Sequence, residues 1–141
     1  MDKTTYRERV KYTETDTFKY KNVNPKNRIT TDCIVRAVVF ALGRDYNEVY
    51  KEMFELSIKT GYALNDKKLL EKYMKQLGIK KQNQPKKDNG KKYTGKEFAK
   101  TFCEGTYICF IGGHHASVCH FGKFYDIWDC TDKCIGTYYQ I

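Results

Sequence analysis

The sequence predicts an α+β domain, and two features of the residue pattern lead to that prediction. Between about residue 30 and residue 105, apolar residues recur every three or four positions, as on the buried face of a helix. From residue 106 to residue 141, short apolar and aromatic segments alternate with glycines, as in a sheet of short strands. We therefore expect residues 1–141 to form one domain, with a helical part followed by a small antiparallel sheet.

The first predicted helix, residues 33–42, should be central because it is apolar on almost every side. Asp32 or Thr31 can cap its first turn, and Gly43 ends it. Cys33 thus begins a buried helix, where the positive end of the helix dipole lowers the pKa of a thiol and favours the reactive thiolate. A buried cysteine with no chemical role is the alternative interpretation.

Three more helices are predicted from apolar spacing and capping residues. The second and fourth begin with capping boxes, which pair Asp45 with Glu48 and Thr94 with Glu97. The helices should cover about residues 45–60, 66–77 and 94–104. Two other segments should be irregular: a lead-in over residues 1–29, with a short strand around residues 7–12, and a mobile, lysine-rich loop over residues 79–92.

Strand parity selects a candidate catalytic base among the histidines of the predicted sheet. The strands should cover about residues 106–111, 115–121, 123–128 and 135–141. His114, Ala116 and Val118 share one face of their strand, and the two apolar side chains should face the core. His115 lies on the other face and should point into a polar cleft, with His114 as the second choice.

Hairpin geometry selects a candidate partner for that histidine. If the loop is Phe121-Gly122, Asp126 lies opposite Ser117 and diagonal to His115, within reach of its ring. A loop of odd length or a bulge would favour Asp129 instead.

Two further residues are candidates for supporting roles. Acyl transfer needs donors for an oxyanion, and the backbone N–H of Cys33 is one. The amide of Asn27 is the candidate for the second, with a turn-forming role in residues 24–27 as the alternative. Trp128 can cover the histidine–aspartate pair and exclude water, or simply be a core aromatic residue.

The order of these residues resembles that of papain-like cysteine peptidases. The spans Asn27–Cys33 and His115–Val118 are similar to the two signatures of that clan. The Asp-Cys pair, with an amide residue six positions before the cysteine, resembles the leader-peptidase domains of bacteriocin exporters. The span Gly122–Asp129 is similar to small papain-like proteins of bacterial and phage genomes.

This resemblance implies a papain-like fold in which Cys33 is the nucleophile, His115 the general acid and base, Asp126 the orienting residue and Asn27 the oxyanion donor. The implied activity is hydrolysis of peptide, isopeptide or side-chain amide bonds in a peptide or protein substrate, without a cofactor or metal. The chain departs from the papain pattern in having Asn27 where glutamine is normal and Ile34 where many relatives have a small residue or tryptophan.

Charge and hydropathy indicate which classes of partner the protein can bind. The net charge of +9 comes largely from lysines, and the run over residues 80–92 can hold an acidic partner. No nucleic-acid motif accompanies it, so nucleic acid is not favoured. The apolar stretch 34–42 is too short to cross a bilayer, and residues 1–12 do not resemble a signal peptide. We expect a cytoplasmic protein with reduced cysteines.

Two other functions compete with the enzyme. The first is a structural zinc domain, because five of the six cysteines and all three histidines lie in residues 103–134. The absence of a Cys-x-x-Cys pair argues against it. The second is a basic binding or inhibitor protein that keeps a papain-like scaffold without catalysis.

Overall fold

The computed structural model describes residues 13–141 and confirms the α+β class. This part of the chain forms four helices: α1 (Cys33–Leu42), α2 (Tyr46–Thr60), α3 (Lys67–Gln76) and α4 (Gly95–Thr101). It also forms six strands: β1 (Phe18–Tyr20), β2 (Lys81–Gln82), β3 (Thr106–Ile111), β4 (His115–His120), β5 (Lys123–Asp126) and β6 (Ile135–Gln140). The strand that we expected around residues 7–12 lies outside the described residues.

All six strands belong to one mixed sheet, in the order β1-β5-β4-β3-β6-β2. The expected purely antiparallel sheet of residues 106–141 is therefore wrong in two respects. β1 comes from the predicted lead-in and pairs with β5 in parallel, and β2 comes from the predicted loop and pairs with β6. These strands have three and two residues, which is too short to show an alternating pattern in the sequence.

The lysine-rich segment 79–92 also differs from the expected loop. Its backbone turns back on itself, with a bridge between Lys86 and Lys92, and the side chain of Gln84 donates to the carbonyl of Ile135 at 2.9 Å. Lys87 reaches Glu97 of α4 at 2.6 Å. The segment is thus attached to α4 by a bond between residues ten positions apart and to β6 by one between residues 51 positions apart.

Helices cover both faces of the sheet. Apolar residues of α1, α2 and α3 form one core with Ile108, Phe110 and Ala116 of the sheet. Phe98 of α4 lies in a second core on the other face, together with Phe124. The interior residues of β4 are therefore buried on both faces of the sheet. His115 is the first residue of the strand and is only partly buried.

The β4–β5 hairpin has the predicted register. His120 pairs with Lys123 and Val118 with Tyr125, which leaves Phe121 and Gly122 as a two-residue loop. Both loop residues have positive φ values, 47° and 80°, as a type I′ turn requires. Continuing this register places Asp126 across from Ser117, close to the beginning of β4. None of the described helices is long and apolar enough to cross a membrane.

Candidate active site

Cys33 is the first residue of α1 and is partly accessible. Burial alone would raise the pKa of its thiol. The hydrogen bond and positive charge of His115, the backbone N–H of Ala116 and the charge of Arg36 outweigh burial, so the pKa is lowered. The thiolate is consequently favoured at this position. By contrast, burial raises the pKa of Cys109, well above its usual value.

His115 connects the thiol to a buried carboxylate. Its Nε2 donates to Oδ2 of Asp126 at 2.6 Å, which leaves Nδ1 as the nitrogen for proton exchange with Cys33. Burial alone would lower the pKa of His115, but hydrogen bonds with Asp126, Cys130 and Cys33 raise it. The ring of Trp128 packs against the imidazole with centroids 4.8 Å apart, as expected for a residue that covers the pair.

Asp126 is 1% exposed, and both oxygens of its carboxylate accept hydrogen bonds. Oδ2 accepts from Ser117 Oγ at 2.6 Å in addition to His115, and Oδ1 accepts from the backbone N–H of Ile127 at 2.7 Å and from Arg36 Nη1 at 2.9 Å. Burial would raise the pKa of this carboxyl, but the His115 hydrogen bond and the neighbouring positive charges lower it to about 2. Asp126 therefore remains ionised and holds the ring of His115 in place.

Arg36 is a member of the site that sequence reasoning did not identify. It is 6% exposed and links two acidic residues, with Nε on Asp32 Oδ1 at 2.7 Å and Nη1 on Asp126. Asp32 also accepts from Tyr46 Oη at 2.7 Å and from Asn24 Nδ2 at 3.0 Å. Of the two caps considered for α1, Asp32 is at the N-cap position but makes no side-chain capping bond, because its carboxylate is occupied by these groups.

The alternative site residues lie elsewhere. The carboxylate of Asp129 accepts from the backbone N–H and the hydroxyl of Thr131, at 2.9 and 2.6 Å. His114 lines the edge of the cleft, and it is His115 that bonds to Asp126. The structure thus brings together Cys33, His115 and Asp126, the combination expected from strand parity and hairpin register.

Asn27 is not among the residues that line the cleft with Cys33. It has φ 53°, its backbone N–H donates to Asn24 at 2.9 Å, and its side-chain oxygen accepts from Asn22 at 3.5 Å. These contacts correspond to the turn-forming alternative. The residue with a side-chain amide that lines the cleft together with Cys33 is Asn65, from the loop between α2 and α3.

The cleft is a depression of about 130 Å³ at the beginning of α1. Its lining residues are Thr30, Thr31, Cys33, Arg36, Asn65, His114, His115 and Trp128. A substrate carbonyl can therefore approach the thiol from solvent. The backbone N–H of Cys33 lies in the first turn of α1, where the helix itself provides no acceptor, so it is free to bind an oxyanion.

His115, Asp126 and Cys130 form the group of potential metal ligands in the described residues. Nε2 of His115 and Oδ2 of Asp126 are only 2.6 Å apart. Two ligands at about 2.0–2.1 Å from a tetrahedral zinc ion would lie more than 3 Å apart, so this pair is closed by a hydrogen bond and does not fit zinc. The six cysteines are all free thiols.

Comparisons with protein-family models, curated proteins and solved structures found no match for this chain.

Proposed function

We propose that this protein is a cysteine-dependent hydrolase that cleaves peptide, isopeptide or side-chain amide bonds on a papain-like scaffold. The main support is the grouping of three side chains. Cys33 and His115 line the same cleft, His115 lowers the pKa of the Cys33 thiol, and His115 bonds to the ionised carboxylate of Asp126 at 2.6 Å.

The proposed reaction has two steps. In the first, the Cys33 thiolate attacks the carbonyl carbon, and the C–N bond breaks while the His115 imidazolium gives its proton to the leaving amine. In the second, neutral His115 takes a proton from water, the hydroxide attacks the thioester, and a carboxylic acid leaves as Cys33 is released. Asp126 keeps the ring in position through both steps.

The pH dependence of alkylation tests the central ion pair. Because the pKa of Cys33 is lowered and that of His115 raised, thiolate and imidazolium should coexist over a wider pH range than for an unperturbed cysteine and histidine. At about pH 6, where an unperturbed thiol is well under 1% ionised, iodoacetamide should label Cys33 at least about tenfold faster than the exposed Cys103 and Cys134. Mass spectrometry of timed samples measures all three rates in one protein.

A His115→Ala variant is the matched control for this experiment. It should remove the rate advantage of Cys33 at about pH 6 while leaving the other two rates unchanged. Equal labelling of the three cysteines in the wild-type protein would contradict an activated nucleophile. It would support instead a basic binding protein on the same scaffold.

A second experiment identifies the side-chain donor for the oxyanion. We expect Asn65→Ala to lower kcat/KM on a peptidyl-coumarin amide library by about 10²-fold, the typical effect of losing one oxyanion donor. Asn27→Ala should change it by less than about twofold, because Asn27 does not line the cleft. The reverse result would restore Asn27 to the role that the resemblance implied.

A further inference from the structure

The cleft at Cys33 is one part of a longer trough. It shares Thr31 and Asn65 with a groove of about 750 Å³ between residues 24–32 and the beginning of α2, which we call the α2 groove. It also shares Asn65 and His114 with a groove of about 430 Å³ between the beginning of α3 and the β3–β4 turn, the α3 groove. The cleft at the thiol is therefore continuous with two open grooves.

The α2 groove is positively charged. Lys26 and Arg28 line it with exposed side chains, and neither has an ion-pair partner among residues 13–141. The acidic residue in its lining, Asp32, is buried and compensated by Arg36. Lys26 and Arg28 therefore give this groove an excess of positive charge, which attracts negatively charged ligands.

The α3 groove has one basic and one acidic residue in its lining. Lys67 lies over the ring of Phe110, with Nζ 4.8 Å from the centroid. The carboxylate of Asp66, which also lines this groove, accepts the backbone N–H of Lys68 at 2.8 Å and so caps α3. These two charges offset each other, so the excess positive charge of the trough lies at Lys26 and Arg28 in the α2 groove.

Apolar side chains form part of the floor of the α2 groove. Tyr46 and Tyr50 stack with centroids 6.0 Å apart, and Leu64 and Ile29 lie beside them. Tyr50 is 39% exposed and stacks in turn on Phe54, which is more exposed still. An aromatic row of this kind offers apolar area to a side chain of a bound ligand.

We propose that the trough binds an acidic stretch of a polypeptide, with acidic residues at Lys26 and Arg28 in the α2 groove and an apolar residue on the tyrosines, next to the bond that Cys33 attacks. This assignment rests on the proposed hydrolase function and names its substrate class. It replaces the lysines of residues 80–92 as the predicted binding site for an acidic partner, because none of them lines the trough.

Fluorescence anisotropy with the Cys33→Ala protein tests binding without turnover. The probes are two fluorescein-labelled pools of twelve-residue peptides with the same apolar residues, one carrying aspartate and glutamate and the other lysine. The acidic pool should bind at least about tenfold more tightly at about 50 mM salt, and its affinity should fall markedly at about 0.5 M. Equal affinity for the two pools would overturn the proposal.

Charge reversal locates the binding site. In the same background, Lys26→Glu with Arg28→Glu should reduce the affinity for the acidic pool to about that for the lysine pool. Lys86→Glu with Lys91→Glu makes the same change in net charge outside the trough and should preserve most of the affinity. An equal loss with both pairs would indicate general charge attraction and overturn the site.

Three further outcomes distinguish the acidic-polypeptide proposal from an RNA ligand and from the hydrolase proposal. Tighter binding of a labelled single-stranded RNA, with the same dependence on Lys26 and Arg28, would overturn a polypeptide ligand. Selective binding of the acidic pool by a protein whose Cys33 is not activated would support the trough and contradict the hydrolase. Fast alkylation and amide cleavage without selectivity for the acidic pool would leave the hydrolase in place and overturn the substrate class.

Discussion

Replacing Cys33 by alanine is expected to abolish amide cleavage and leave the protein folded. Without the sulfur no thioester can form, and removal of a nucleophile of this kind lowers kcat by about 10³-fold to 10⁶-fold. Cys33 is partly accessible at the beginning of α1, where alanine is a good helix former, so unfolding free energy should change by no more than about 1 kcal/mol. Cleavage of the coumarin amide library and urea unfolding measure the two quantities.

Cys103→Ala is the matched control, since it removes an exposed thiol outside the cleft. It should retain the activity of the wild-type protein. Turnover by Cys33→Ala at a comparable rate would contradict the mechanism. Loss of both activity and cooperative unfolding would instead show that the fold requires the thiol. Cys33→Ser, which is closer to cysteine in shape and polarity, would then distinguish this structural role from a role in the reaction.

Local features of the chain were sufficient to predict the helices and the central hairpin. Gly43 ends α1 in the left-handed conformation, and the Thr94–Glu97 capping box is present at the beginning of α4. The turn at Phe121-Gly122 sets the register of β4 and β5, and this register carries Asp126 to Ser117 and His115. In each case the residues that determine the structure are neighbours in sequence, so the sequence pattern is sufficient to predict it.

Features that depend on distant contacts were not predictable in this way. β1 forms because it pairs with β5, about a hundred residues later, and nothing within its own three residues requires a strand. Asn27 has the spacing of an oxyanion donor, but its turn directs it to Asn22 and Asn24 instead. Spacing along the chain does not determine which neighbours the side chains of an irregular segment contact.

Arg36 shows the same limit within the site itself. A single arginine in an otherwise apolar buried helix is a signal that the sequence does contain, because a buried charge needs a partner. One partner, Asp32, lies one helical turn earlier, while the other, Asp126, is ninety residues away. The residue could be recognised as unusual, but its function of joining α1 to the carboxylate behind His115 required the fold.

The consequence is a large expected effect of Arg36→Met on stability. This substitution leaves two buried carboxylates without their cation, and breaking a buried ion pair costs about 3–5 kcal/mol. Urea unfolding at neutral pH measures the loss. Arg44→Met is the control, since its bonds to Glu52 are partly exposed and such pairs contribute about 1 kcal/mol or less. Equal losses in the two variants would contradict the role of Arg36.

The pH dependence distinguishes lost charge from lost packing. The pKa of Asp126 is lowered to about 2, so its contribution to stability is present above about pH 4 and disappears as the pH falls toward 2. His115, whose pKa is raised, is protonated in both folded and unfolded states over that range and adds no slope there. Without the charge of Arg36 the pKa of Asp126 should be closer to its ordinary value, so the unfolding free energy of Arg36→Met should fall less steeply between pH 4 and 2 than that of the wild-type protein. An unchanged slope with a uniform loss of stability would mean that Arg36 acts through packing alone, and would exclude it from the electrostatics of the site.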